Sequence, residues 1–355
     1  MQITRVEVCP VELKLRQPVR MAGFSPISQV MAVFVRAETR DGRNAWGCGV
    51  AHPDLTGETP AHALKICHQA ASMVPDLHPT NLEYSLAELS PVIQNSPAAV
   101  CAFDLLFHDL LGLIAGIPLY RLLGGYRNRI QTSVTIPLGS IGESVANAQR
   151  WYSQGFRMLK VKGGLNPEED VERIKAIRRA LPDVILRLDA DGGYSVQQAL
   201  DVARALRNQL EMLEQPVRFD SFEELRQVTQ MSPVPILADQ SVSSPESTLA
   251  LVSERCVHGV SIKVATGGGL RGARQVDAIA RAAKMVAMVG CVVEPALLIA
   301  AGLSFALSSP NVKYGDLDGN LDLLNDPTRL GFTLQEGWLI ASESPGLGCM
   351  VELCG

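Results

Sequence analysis

Short apolar runs return about every 25 residues from Gln131 onward, and most of them close on Lys, Asp or Glu. They are Ser133–Ile136, Arg157–Lys162, Val184–Asp189, Leu210–Glu214, Val234–Asp239, Gly259–Lys263, Val286–Cys291 and Asn311–Asp316. Helical sequence separates them, so the pattern predicts a parallel βα barrel. Several helix starts are readable: Asn166-Pro167, Ser195 with Gln198, Asp220 with Glu223, and Ser244-Pro245. Barrel chemistry sits where the strands end. Here those ends bring Lys162, Asp189, Glu214, Asp239, Lys263 and Asp316 to one mouth, a set suited to metal-assisted proton transfer.

Ahead of the repeat, residues 1–50 alternate apolar and polar positions in three stretches, ITRVEVCPVEL, QVMAVFVRAET and NAWGCGVA. They predict a three-stranded antiparallel meander. Its first turn, Arg16 to Ser28, is longer than a hairpin needs, a sign of a functional loop. Residues 57–124 read as helical, with Ser96 and Pro97 as cap and first position of a long apolar helix that Gly116 and Pro118 stop. The last stretch, 320–355, is short strands and turns expected to fold back onto the N-terminal part.

Composition narrows the picture. A chain of 355 residues holds a barrel and a smaller domain. The net charge of −5 and mixed charge pattern leave no nucleic-acid footprint. The start lacks the apolar core of a signal peptide, and the longest uncharged stretch, Pro295 to Val312, contains two prolines and makes a poor membrane span. Eight cysteines form no CxxC motif and read as free, mostly buried thiols in a cytoplasmic protein. No histidine lies between His108 and His258, which disfavours zinc and points to a hard cation on oxygen ligands.

Asp189, Glu214 and Asp239 are 25 residues apart in each interval and close three consecutive runs. Neighbouring strands lie about 4.8 Å apart, so the three carboxylates come within reach of one ion. Such a set suits Mg²⁺, which keeps positions for water or substrate oxygens. Acids at strand ends also cap helices or pair with arginines, but three in register favour the metal. Lys162 and Lys263, on the second and sixth runs, should face each other across the barrel axis. Moving a proton between the two faces of a carbon needs a base on each side, and neighbouring cations such as Lys160 and the metal would lower the pKa of Lys162. The alternative is that both lysines are salt-bridge partners of the acids.

Asp316 and Asp318 flank Leu317 and point the same way, either as a carboxylate fork for a substrate ammonium or as part of an exposed DLDGN turn. Gly267-Gly268-Gly269 opens a helix and offers backbone N–H groups to an anion. Glu294 is open to two readings, an acid behind the site or a solvent residue.

Across essentially its whole length the chain resembles the enolase superfamily, muconate-lactonizing subgroup. The resemblance rests on Lys160-Val161-Lys162, Asp189, the LEQP of Leu213–Pro216, the ADxS of Ala238–Ser241 and the IK…GG of Ile262–Gly268, all in family order. It implies a modified TIM barrel, (β/α)7β, at residues 126–319. An α+β capping domain at 1–125 and a C-terminal segment at 320–355 returning to that domain complete the expected chain. It also implies a mechanism in which a Mg²⁺-bound carboxylate substrate loses its α-proton to form an enediolate. Asp316-Leu317-Asp318 and the TGET of Thr56–Thr59 are similar to the dipeptide epimerase branch, the L-Ala-D/L-Glu type. By that resemblance Thr135, Lys160, Asp316 and Asp318 bind substrate, and Glu294, past strand seven, is a further candidate for substrate contact. The implied activity is epimerisation of the C-terminal residue of a dipeptide. The alternative is a racemase or dehydratase for an N-substituted amino acid or small hydroxy acid. A small-molecule substrate and a possible homo-oligomer are the implied partners, with no nucleic acid and no membrane. The chain departs from the family at Asp191 (usually Asn), at Gln240 (usually Glu) and in the CVVEP of strand seven. The first two changes are expected to retune Lys263 or the metal.

Overall fold

The computed structural model describes residues 2–329 and 331–353. Strands Ile3–Val19, Ile27–Thr39 and Asn44–Ala51 form the antiparallel meander in sequential order. The first strand runs on into the expected turn as far as Val19, with Leu13 and Leu15 buried ahead of it. Its register with the second strand breaks between Lys14 and Val19, so the connecting loop is only residues 20–26. Helices Pro60–Ala71, Leu82–Ile93 and Pro97–Ala115 follow. Ser96 caps the last of these by accepting the Ala99 N–H. That helix has the length and apolarity of a membrane span, yet most of its surface is buried in the molecule.

Eight parallel strands make the second layer: Val134–Ile136, Met158–Lys162, Ile185–Asp189, Met212–Glu214, Ile236–Ala238, Gly259–Lys263, Val286–Gly290 and Val312–Gly315. They are numbered one to eight below. Each pairs with the next, and a bridge between Thr132 and Gly315 links the two ends of the sheet. One helix lies between each consecutive pair, which gives the (β/α)7β pattern. Asn166, Ser195 and Ser244 cap their helices through side-chain oxygens. The helix after strand four departs from the expectation: its cap is Ser221, not Asp220. Arg218, two residues earlier, engages the Asp220 carboxylate at 2.6 and 2.9 Å and leaves Ser221 to accept the Glu224 N–H.

The barrel interior below the mouth is filled by Met212, Leu237 and Met288, with Tyr314 packed against them. Arg187 is fully buried there, donating to Glu211 at 2.7 Å and to the Gly315 carbonyl at 3.0 Å. A buried guanidinium needs such partners to offset its desolvation. Beyond the barrel the chain splits its contacts. Leu323 bridges Leu15, and Asn325 accepts the Lys14 N–H at 2.8 Å, both on the meander. Strands Phe332–Gln335 and Trp338–Ala341 instead join Arg129–Gln131, the lead-in to the barrel.

Candidate active site

Strand register places the acids. Lys162 lies opposite Asp189, and Asp189 opposite Glu214, in one row across strands two, three and four. Glu214 lies opposite Leu237, so Asp239 stands two residues higher on the same face of the next strand. Equal spacing in sequence therefore becomes a staggered row that follows the barrel's shear. Ligand atoms of Asp189, Glu214 and Asp239 lie within 4.8 Å of one another, and all three residues are buried. Among the described residues neither Glu214 oxygen has a hydrogen-bond partner, and Asp239 Oδ1 has none. Buried acceptors are rarely left this way. Burial and the neighbouring Asp189 push the Glu214 pKa well above the usual carboxylate range. Three converging acceptor-only groups with orphaned oxygens fit a hard divalent cation, and these residues would hold it.

Around the triad the lysines are paired, contrary to the expected lowering of the Lys162 pKa. Lys162 Nζ lies 2.8 Å from Asp189 Oδ2 and 2.9 Å from both oxygens of Asp191. Burial acts to lower its pKa, but Asp189 and Asp191 outweigh that and hold it above the ordinary lysine value. Lys263 donates to Asp239 Oδ2 at 2.5 Å and is raised in the same way, by Asp239 against burial. Lys160 Nζ contacts Asp316 Oδ2 and lies 3.4 Å from Asp189 and 3.8 Å from Glu214. Burial keeps Asp189 from ionising less strongly than Lys162 and Lys160 favour its charge, and its pKa falls well below the usual range.

Asp316 and Asp318 point to the same region without playing equal parts. Asp316 is fully buried and accepts from Lys160 and from Ser133 Oγ at 2.6 Å. Asp318 is partly exposed, accepts the Thr135 N–H at 2.6 Å, and lines a cavity of about 190 Å³ together with Thr135, Lys160 and Lys162. A second cavity, about 280 Å³, is lined by Asp239, Gln240 and Lys263. Glu294 lines neither cavity. It is buried, accepts the Val292 N–H at 3.2 Å, and burial lifts its pKa to about 8. The anion at the glycine run is the chain's own. Asp104, from the helix Pro97–Ala115, accepts the Leu270 N–H at 2.6 Å. Gly269 has φ +74°, and a Cβ there would fall 2.4 Å from Asp104 Oδ2, so only glycine admits this carboxylate.

Several supporting residues lie outside the sequence-derived set. Gln215 accepts the Asp239 N–H at 2.9 Å and donates to the Val217 carbonyl and Ser241 Oγ, fixing the strand-five end. Its only sequence signal was its place in LEQP. Gln240 donates to Asp191 Oδ1 at 3.0 Å, so the two departures at Asp191 and Gln240 form one unit. That unit touches Lys162, whereas the sequence pointed to Lys263 or the metal. Asp191 adopts φ +46°, a conformation Asp and Asn tolerate best.

Comparison with known proteins agrees with this geometry. Residues 3–124 match the model of the mandelate racemase / muconate lactonizing enzyme N-terminal domain, and residues 143–352 match the enolase C-terminal domain-like model. An L-Lys-D/L-Arg epimerase of Desulforapulum autotrophicum is 33% identical over 98% of this chain and 99% of its own. The substrate-liganded structure of the L-Ala-D/L-Glu epimerase from Bacillus subtilis superposes with a TM-score of 0.95 at 29% identity, covering 100% of both chains. The dipeptide epimerase from Enterococcus faecalis, complexed with Mg and L-Leu-L-Tyr, gives 0.94 at 32% identity over 98% of this chain and 99% of that one. The chain belongs to the mandelate racemase / muconate lactonizing enzyme family of the enolase superfamily.

Proposed function

We propose that the protein is a Mg²⁺-dependent dipeptide epimerase that removes and returns the α-proton of the C-terminal residue. One observation carries the reading: Lys162 and Lys263, on strands two and six, stand on either side of a single carboxylate triad, Lys162 against Asp189 and Lys263 against Asp239. An α-carbon between the two amines presents one face to each. The substrate carboxylate would lie at the triad, while Asp318, held by the Thr135 N–H, faces the dipeptide's ammonium. Mg²⁺, held by Asp189, Glu214 and Asp239, would offset the charge of the carboxylates paired with Lys263 and, in part, with Lys162, and would stabilise charge developing on the substrate carboxylate. One lysine, as free amine, takes the proton, and the other, as ammonium, delivers one to the opposite face. Asp191 and Gln240 orient Lys162 for this. Epimerase relatives that cover nearly the full length of the chain support the reading. Free cysteines at all seven described positions support a cytoplasmic address.

The test is α-proton exchange in D₂O with dipeptides of both configurations at the C-terminal residue. Lys162→Ala and Lys263→Ala should each abolish epimerisation, and each should retain exchange with only one stereoisomer. Epimerisation at the wild-type rate in either variant would rule out the two-base arrangement. Exchange confined to N-acylated amino acids would favour the racemase instead.

A further inference from the structure

The two cavities at the mouth are separate: among the described residues, Val292 alone lines both. Val292 belongs to the CVVEP segment in which the chain departs from its family. Granting the epimerase reading, the planar form of the substrate has three in-plane directions at the α-carbon. One carries the carboxylate to the triad, and a second carries the amide and the N-terminal residue towards Asp318. The third carries the side chain being epimerised, and the remaining cavity, beside Asp239 and Lys263, lies open to it.

That cavity, about 280 Å³, draws its walls from both parts of the molecule. Phe24 comes from the loop between the first two meander strands, Leu55 from the short helix Pro53–Thr56 after the third, Val242 follows strand five, and Phe219 follows strand four. Phe219 is 48% exposed, an aromatic ring left in water at the rim. A large exposed apolar side chain beside a concave site is the mark of a surface that a ligand covers. Among the described lining residues Lys263 is the only cation, and Asp239 engages it. Asp54 adds a negative charge at the rim, with one oxygen accepting the Ser25 N–H at 3.1 Å. An acidic side chain would find no free cation here and a carboxylate at the entrance.

We infer that the C-terminal residue of the substrate carries a bulky apolar side chain, aliphatic or aromatic, seated between Phe24, Leu55, Val242 and Phe219. The hydroxyls of Thr56, Ser243, Ser261 and Thr266 complete the wall without adding a cation, so a glutamate-type side chain is disfavoured there. Phe219 is thus a specificity-determining residue, with the apolar contact as its means.

The experiment is a D₂O exchange panel on the full chain with Mg²⁺, using L-Ala-L-Leu, L-Ala-L-Phe, L-Ala-L-Glu and L-Ala-L-Lys. The apolar pair should exceed the glutamate dipeptide in kcat/KM by about tenfold or more, the usual scale of a hydrophobic pocket's preference. Phe219→Arg, at an exposed position that leaves the core intact, should raise the Glu-to-Leu ratio at least tenfold. A wild-type preference for Glu, or for Lys through Asp54, would overturn the inference. So would a selectivity ratio unmoved in Phe219→Arg. Exchange with no dipeptide at all would overturn the epimerase reading itself, and this inference with it.

Discussion

Glu214→Gln tests the metal site without relying on turnover. Glutamine keeps the shape of the side chain and removes its charge at a fully buried position where, among the described residues, neither carboxylate oxygen has a hydrogen-bond partner. If those oxygens are ligands, Mg²⁺ binds the native fold and raises the unfolding temperature by mass action. At a hundredfold excess over Kd the stabilisation is about 2.7 kcal/mol. An unfolding entropy of about 2.1 cal/mol/K per residue, over a chain of this length, converts that to a rise of about 4 °C. Losing one of three anionic ligands should weaken binding by at least about a hundredfold. At the same Mg²⁺ concentration the variant would then gain only roughly 0.4 kcal/mol, or about half a degree. Thermal scans of wild type and variant in chelator, in MgCl₂ and in NaCl of equal ionic strength measure the difference. An equal Mg²⁺-induced shift in both proteins would refute the ligand assignment of Glu214.

Asp318→Asn should lower kcat/KM for free dipeptides by at least about tenfold and leave the N-acetylated forms nearly alone, as expected for a charge-assisted contact of about 1.5–3 kcal/mol; steady-state exchange rates on both substrate forms decide it. Stability should depend on His52, buried against the Val293 carbonyl at 3.2 Å, whose pKa burial lowers to about 4. A base depressed on folding contributes stability that is complete above the unfolded value of about 6.5 and lost as pH falls towards 4. About 3 kcal/mol should disappear over that window, and His52→Gln should flatten that part of a urea-denaturation pH profile. Asp104→Ala removes the acceptor of the Leu270 N–H and the partner of buried His108, at 3.3 Å. A loss of about 2–4 kcal/mol in chemical denaturation is expected, more than an exposed cap provides.

Local rules carry a long way in this chain. The spacing of apolar runs located all eight barrel strands, and the residues closing them named the Asp189, Glu214 and Asp239 triad, because strand period and strand spacing leave little freedom in where an end residue points. Helix caps such as Ser195 with Gln198 were equally readable, since a cap involves residues three positions apart. The miscast cap at Asp220 shows the limit even at short range, where Arg218 competes for the carboxylate. What the sequence withheld depends on closing the barrel. Lys160 meets Asp316 across 156 positions, which leaves Asp318 as the carboxylate of that pair that opens into a cavity. Asp104 enters the glycine turn from a helix 166 positions away, so an apparent ligand site is filled by the chain itself. Periodicity fixes which face a side chain takes, but the pairing of charges is decided by distance in space. Only the tertiary structure, by bringing Asp191 and Gln240 against Lys162 and by setting Val292 between two cavities, determines how the shared family machinery is tuned here.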